Sequence, residues 1–144
     1  VLVQAEVAHR LAAQPGNKVY GVPSAKLAWY ADARLAGDVG RSIFWPIPNV
    51  DSALVYFEKR SVSLGDEALR LATFDVIDAA FSQRRKTLRQ ALADWAGSAA
   101  QAETVLVAAG VSPQLRGEAL GIHEFVRIAQ AAGVSAADSG EAER

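Results

Sequence analysis

The sequence predicts an α/β segment followed by an all-helical one, and three observations carry this. Apolar, β-branched runs occur only early, at Val1-Leu2-Val3-Gln4 and Ala53-Leu54-Val55-Tyr56-Phe57, with helical patterns between them. From Asp66 onward only helical periodicity remains. The chain has 144 residues, of which 51% are hydrophobic, enough for one ordinary domain or two small ones with a packed core.

Val1-Leu2-Val3-Gln4 reads as the end of a buried strand. Ala5 to Ala13 reads as a helix with Val7, Leu11 and Ala8 on one face, ended by Pro15-Gly16. His9 falls on its polar face, with no acid–base partner pattern. Asn17 to Ser24 is a loop carrying Lys18, Tyr20 and Gly21. Ala25 to Leu35 is helical by pattern, with Leu27, Ala28, Ala31 and Leu35 on one side, and Gly37 and Gly40 mark a turn.

Phe44-Trp45-Pro46-Ile47-Pro48 is not regular structure for long, because each proline fixes φ and removes a backbone donor. Trp45 and Ile47, each before a proline, are pushed to extended geometry, so Phe44 sits on a stiffened platform. The strand of Ala53 to Phe57 follows, and Asp51 and Ser52 are expected to satisfy backbone groups at its start. Too few strands are present to close a sheet, so its expected partners lie outside the chain.

Glu67 to Phe81 places Leu69, Thr73, Val76, Ile77 and Ala80 at helical spacing. Arg84 to Ala96 reads as a second helix with Leu88, Leu92 and Trp95 inward, and Ala99 to Ala109 as a third, stopped by Gly110. Ser112-Pro113 opens a single turn. A last helix runs from Ile122 to Ala132 with Phe125, Ile128 and Ala129 inward. The small, polar residues 134–144 are expected to be disordered.

Composition narrows the chemistry. There is no Cys and only His9 and His123, which argues against a disulfide framework, a Cys nucleophile or a metal site. No apolar run approaches the roughly 20 residues that cross a bilayer, and no signal peptide is visible, so a soluble cytoplasmic protein is expected. The chain opens without Met and contains none, which reads as the C-terminal part of a longer protein.

Net charge is −1, so any affinity for nucleic acid must come from a local patch. Ser82-Gln83-Arg84-Arg85-Lys86-Thr87-Leu88-Arg89 supplies four cations with no acid among them. Read as a helix N-terminus, this segment sets cations against the macrodipole at roughly 0.3–1 kcal/mol each, which a bound phosphate would offset. A solvated helix face is the plainer alternative, with Arg89 the candidate to pair with Glu118 or another acid. Phe44 can stack on an unpaired base or, alternatively, fill the core at a strand start.

These motifs together resemble a family. Phe44-x-Pro46-x-Pro48-x-Val50-Asp51-Ser52-Ala53, then Ala80-Phe81-Ser82-Gln83-Arg84-Arg85-Lys86-Thr87-Leu88-Arg89, then Arg116-x-Glu118-x-Leu120 resembles the KsgA/RsmA family of ribosomal RNA adenine dimethyltransferases. Val3-Gln4-x-Glu6-Val7-x-x-Arg10-Leu11 and Lys18-x-Tyr20-Gly21-x-x-Ser24 look like the segments after that family's active-site strand.

The resemblance implies a Rossmann-like methyltransferase sheet, of which residues 1–60 are the C-terminal part, and a helical RNA-binding domain over 61–133. It implies methyl transfer from S-adenosylmethionine to two adjacent adenosines near the 3′ end of small-subunit rRNA. It assigns Phe44 to stack on the target adenine, and Arg84, Arg85, Lys86, Arg89, Lys18 and Tyr20 to RNA. The family's glycine-rich cofactor loop and Asn-Leu-Pro-Tyr motif are absent from this sequence, so the chain by itself is expected neither to bind S-adenosylmethionine nor to catalyse. Gly121 stands where the family often has a Ser or Thr helix cap.

Two other functions compete. One is an RNA- or ribosome-binding module without chemistry. The other is a relative acting on large-subunit rRNA, of the macrolide-resistance type, or one reused in organelle transcription. The Arg116-x-Glu118-x-Leu120 and Val50-Asp51-Ser52-Ala53 spellings favour the small-subunit enzyme.

Overall fold

A computed structural model of the chain describes residues 1–40 and 51–142, with the backbone alone for 38–39 and 134–142. It divides into two compact units, Val1–Leu64 and Gly65–Arg144.

Among the described residues, the first unit is a three-stranded antiparallel sheet with two helices. Its elements are β1 (Leu2–Gln4), α1 (Ala5–Leu11), α2 (Val22–Tyr30), β2 (Ala31–Val39) and β3 (Ser52–Lys59), in the sheet order β1-β3-β2. β3 is central because its alternation is the cleanest. Ala53 and Val55 are buried while Leu54 and Tyr56 face outward. Ala8 of α1 packs on Ala53 and Val55, with Val3, Ala5, Ala33 and Phe57 around them.

Three expectations change here. The helix predicted over Ala25 to Leu35 ends at Tyr30, and Ala31–Val39 is strand, pairing Ala33 with Phe57 and Leu35 with Val55. Ala, Leu and Arg favour helix locally, but β3 offers a full ladder of partners, and pairing overrides the weak local preference. Val1 and Leu2 are 70% and 45% exposed rather than buried, since β1 is an edge strand. On α1 the buried residue is Ala8, while Val7 is exposed.

Polar contacts lock the helix ends. Ser24 is buried, its hydroxyl donating to the Arg10 carbonyl and accepting from the Gly21 N–H at 3.3 Å. The Asp51 carbonyl accepts from the Ala5 N–H at 2.9 Å, where α1 begins. Arg60 donates from Nε and Nη2 to the Ala28 carbonyl, at 3.0 and 2.7 Å, near the end of α2.

The second unit is helical: α3 (Glu67–Ser82), α4 (Leu88–Ala91), α5 (Ala93–Ala96), α6 (Ala99–Ala108), a single 3-10 turn (Gly117–Ala119) and α7 (Ile122–Ala142). Asp66 caps α3, its carboxylate accepting from the Leu69 N–H at 2.8 Å. Ile77, Leu88, Leu92, Leu106, Leu120, Phe125 and Ile128 are fully buried, and each stabilises by roughly 1.5–3 kcal/mol. Phe81 meets Phe125 with ring centroids 6.1 Å apart. Trp95, expected in this core, is half-buried.

The helix predicted over Arg84 to Ala96 is a turn and two short helices. α4 begins only at Leu88, where the Leu88 and Arg89 N–H groups donate to the carbonyls of Leu115 (2.7 Å) and Pro113 (3.1 Å). These acceptors occupy donors that a preceding helical turn would claim. α6 ends where predicted: Gly110, at φ 74, lets the Val111 N–H reach the Leu106 carbonyl and its own N–H reach that of Val107. Glu124 supplies what Gly121 lacks as a cap, accepting from the Gly121 N–H at 2.7 Å.

α7 continues past the predicted end at Ala132 to Ala142, where the sequence suggested disorder. One glycine costs a helix only about 1 kcal/mol, and the residues around Gly133 are rich in alanine.

Candidate nucleic-acid interface

The basic segment lies on the turn between α3 and α4. Arg84, Arg85 and Lys86 are exposed, and the Lys86 N–H closes the turn on the Gln83 carbonyl at 2.9 Å. They do not stand on a helix N-terminus, so the macrodipole argument made from sequence does not apply to them. The turn is held from both sides. α3 carries it in through Ala80 and Phe81, and the 113–115 carbonyls fix the start of α4.

The four cations are not equivalent. Arg84 Nη2 stands 3.6 Å from Glu118 Oε2, and its guanidinium lies 5.9 Å from the Phe81 ring centre. Arg89 Nε stands 3.8 Å from Glu103 Oε2 on α6. The pairing anticipated for Arg89 is therefore with Glu103, and Glu118 takes Arg84. Among the described residues no acid forms an ion pair with Arg85 or Lys86. Arg116, which the sequence reading did not assign to RNA, is also exposed. It directly follows the carbonyls that cap α4, and its place in Arg116-x-Glu118 was the available signal.

In the first unit the predicted residues separate. Phe44 lies outside the described residues, as does all of Phe44–Pro48. These residues belong to the connection between β2 and β3, whose paired ends are Val39 and Ser52. Lys18 is exposed on the turn between α1 and α2. Tyr20 is only 2% exposed, so the expectation that it contacts RNA is corrected: its ring is covered and has no face for a base. Ser24, four residues further on, ties α1 to the start of α2 through the Arg10 carbonyl and the Gly21 N–H.

The family model described as "Ribosomal RNA adenine dimethylase" matches residues 1–132. The chain belongs to this ribosomal RNA adenine dimethylase family. Its similarity to curated proteins is high. It is 65% identical over 130 residues to "Ribosomal RNA small subunit methyltransferase A" of Streptomyces coelicolor, covering 90% of this chain and 46% of that protein. The protein of the same name from Thermobifida fusca is 62% identical over 130 residues, covering 90% and 45%. The chain thus spans about half the length of the curated relatives it matches.

Two solved structures share the fold. A dimethyladenosine transferase from Plasmodium falciparum superposes with a TM-score of 0.73 at 20% identity, covering 88% of this chain and 54% of that one. The methyltransferase ErmE, described as acting on 23S rRNA, gives 0.66 at 18%, covering 92% and 53%.

Among the described residues, the junction of β1 and α1 does not make a cofactor cradle of the kind the dimethylase resemblance implies. Such a cradle needs a glycine-rich turn between a strand and a helix N-terminus. Here β1 runs from Gln4 directly into α1 at Ala5 with no glycine between. Among the described residues no group of three or more acidic or His side chains is placed to hold a metal ion. No helix there is long and apolar enough to cross a membrane.

Proposed function

We propose that the chain is the RNA-docking portion of a small-subunit rRNA adenine dimethyltransferase. The whole protein would move methyl groups from S-adenosylmethionine to the exocyclic amines of two adjacent adenosines near the 3′ end of that rRNA, in the cytoplasm. In this reading the helical unit holds the RNA backbone through Arg85 and Lys86, with the exposed Arg116 as a further contact and Lys18 as a lesser contact from the first unit. Phe44 stacks on the adenine once it leaves its neighbours in the RNA.

The observation that carries the reading is the exposed Arg85-Lys86 pair on a turn braced from two sides. Such a placement suits phosphate, which needs accessible charge on a rigid support. The names of the relatives support the small subunit as the target.

The test is binding to purified small ribosomal subunits, comparing the chain with its Arg85→Glu variant. The reading expects at least a tenfold loss for the variant, and affinity that falls steeply with salt. Equal affinity for both proteins would overturn it. Methylation assays of the longer protein on separated subunits distinguish small- from large-subunit targets.

A further inference from the structure

We propose that Glu118 and Glu103 divide the basic segment into two working halves. Arg84 and Arg89 are positioning residues that shape the turn, and Arg85 and Lys86 are its phosphate-binding cations. The inference rests on the RNA-docking reading above.

The geometry supplies the distinction. Arg84 has a carboxylate at 3.6 Å and a ring at 5.9 Å, and Arg89 has a carboxylate at 3.8 Å. Both carboxylates are well inside the screening length of about 8–10 Å at physiological salt, so each lowers the positive potential at its arginine. A cation with a carboxylate beside it attracts phosphate less and releases fewer counterions when RNA binds. Arg85 and Lys86 carry no such partner among the described residues.

Glu118 is placed by backbone, not by chance rotation. Its 3-10 turn closes through the Ala119 N–H on the Arg116 carbonyl (3.0 Å) and the Leu120 N–H on the Gly117 carbonyl (3.1 Å). Gly117, buried against Ala80, brings this turn to the end of α3, where Arg84 begins the basic turn. The carboxylate thus fixes the direction in which Arg84 leaves the turn, and Arg85 and Lys86 are left facing water.

The experiment measures binding of the full chain to purified small ribosomal subunits over a range of KCl concentrations. The readout is the slope of log affinity against log salt, to which each phosphate contact contributes about 0.7–0.9. Arg85→Ala and Lys86→Ala should each flatten the slope by about that amount. Arg84→Ala and Arg89→Ala should leave it unchanged, whatever they do to stability. Glu118→Gln should steepen it, because the carboxylate that offsets the charge of Arg84 is removed.

The paired swap Arg84→Glu with Glu118→Arg keeps an ion pair and should restore the original slope. It also covers the case in which a single variant unfolds. Arg84→Ala flattening the slope as much as Arg85→Ala would overturn the division. Binding of the unaltered chain that ignores salt would instead overturn the docking reading itself.

Discussion

Gly117 lies flush against Ala80. A Cβ built on Gly117 would stand 3.1 Å from both the Cβ and the carbonyl oxygen of Ala80. The obstacle is helix backbone, which cannot swing aside as a side chain can. Gly117→Ala should therefore destabilise the helical unit by about 1–3 kcal/mol, measured by denaturant unfolding. It should also move Glu118 off Arg84 and steepen the salt dependence of RNA binding. An alanine variant with unchanged stability and unchanged slope would show that the contact matters to neither.

Gly110 makes a contrasting case. Its φ is 74, yet nothing lies within 4 Å of an added Cβ. The cost of Gly110→Ala is therefore conformational, about 1–2 kcal/mol. Gly110→Asn should recover part of that loss, since Asn tolerates the left-handed region. Thermal melts of the two variants check the order.

Arg60 holds the end of α2 through two hydrogen bonds to one carbonyl and stands 3.9 Å from Asp32. Arg60→Met keeps the stem and removes the donors. The expected loss is about 1.5–3 kcal/mol, as for other hydrogen bonds made by charged groups. Hydrogen exchange should locate the loosening at the α2–β2 junction, and uniform exchange across the chain would count against a local role.

Glu67 is held below its ordinary pKa, first by the side-chain hydrogen bond from Arg70 and then by the arginine's charge, with desolvation opposing. A depressed carboxyl stabilises the fold above the unfolded value, and the contribution disappears as pH falls through the folded value. Glu67→Gln should therefore lower Tm slightly at neutral pH and make no difference once pH has fallen below the folded value. A gap that widens in acid would reverse the sign and refute the assignment.

Phe44→Ala, placed in a protein that carries this chain together with a cofactor-binding half, should slow methyl transfer. The loss of one base stack, about 1–3 kcal/mol, corresponds to roughly 5–150-fold. Phe44→Tyr should stay near the parent rate, because the ring is kept. Full activity of the alanine variant in single-turnover assays would remove Phe44 from the site.

The sequence by itself determined the elements whose pattern is local and strong. β3, α3 and α6 are readable because β-branched alternation or helical spacing is uninterrupted, and Gly110 marks the end of α6. The basic segment was equally legible, since four cations without an acid need no structure to be seen. Tertiary structure decided the rest. Ala31–Val39 is strand because β3 is there to pair with it, and α4 starts late because Pro113 and Leu115 take its donors. Tyr20 is buried, and Arg84 and Arg89 are paired because Glu118 and Glu103, distant in sequence, come beside them. Periodicity records what a residue prefers among its neighbours along the chain. Burial and ion pairing depend on neighbours in space, as the 34 positions separating Arg84 from Glu118 show.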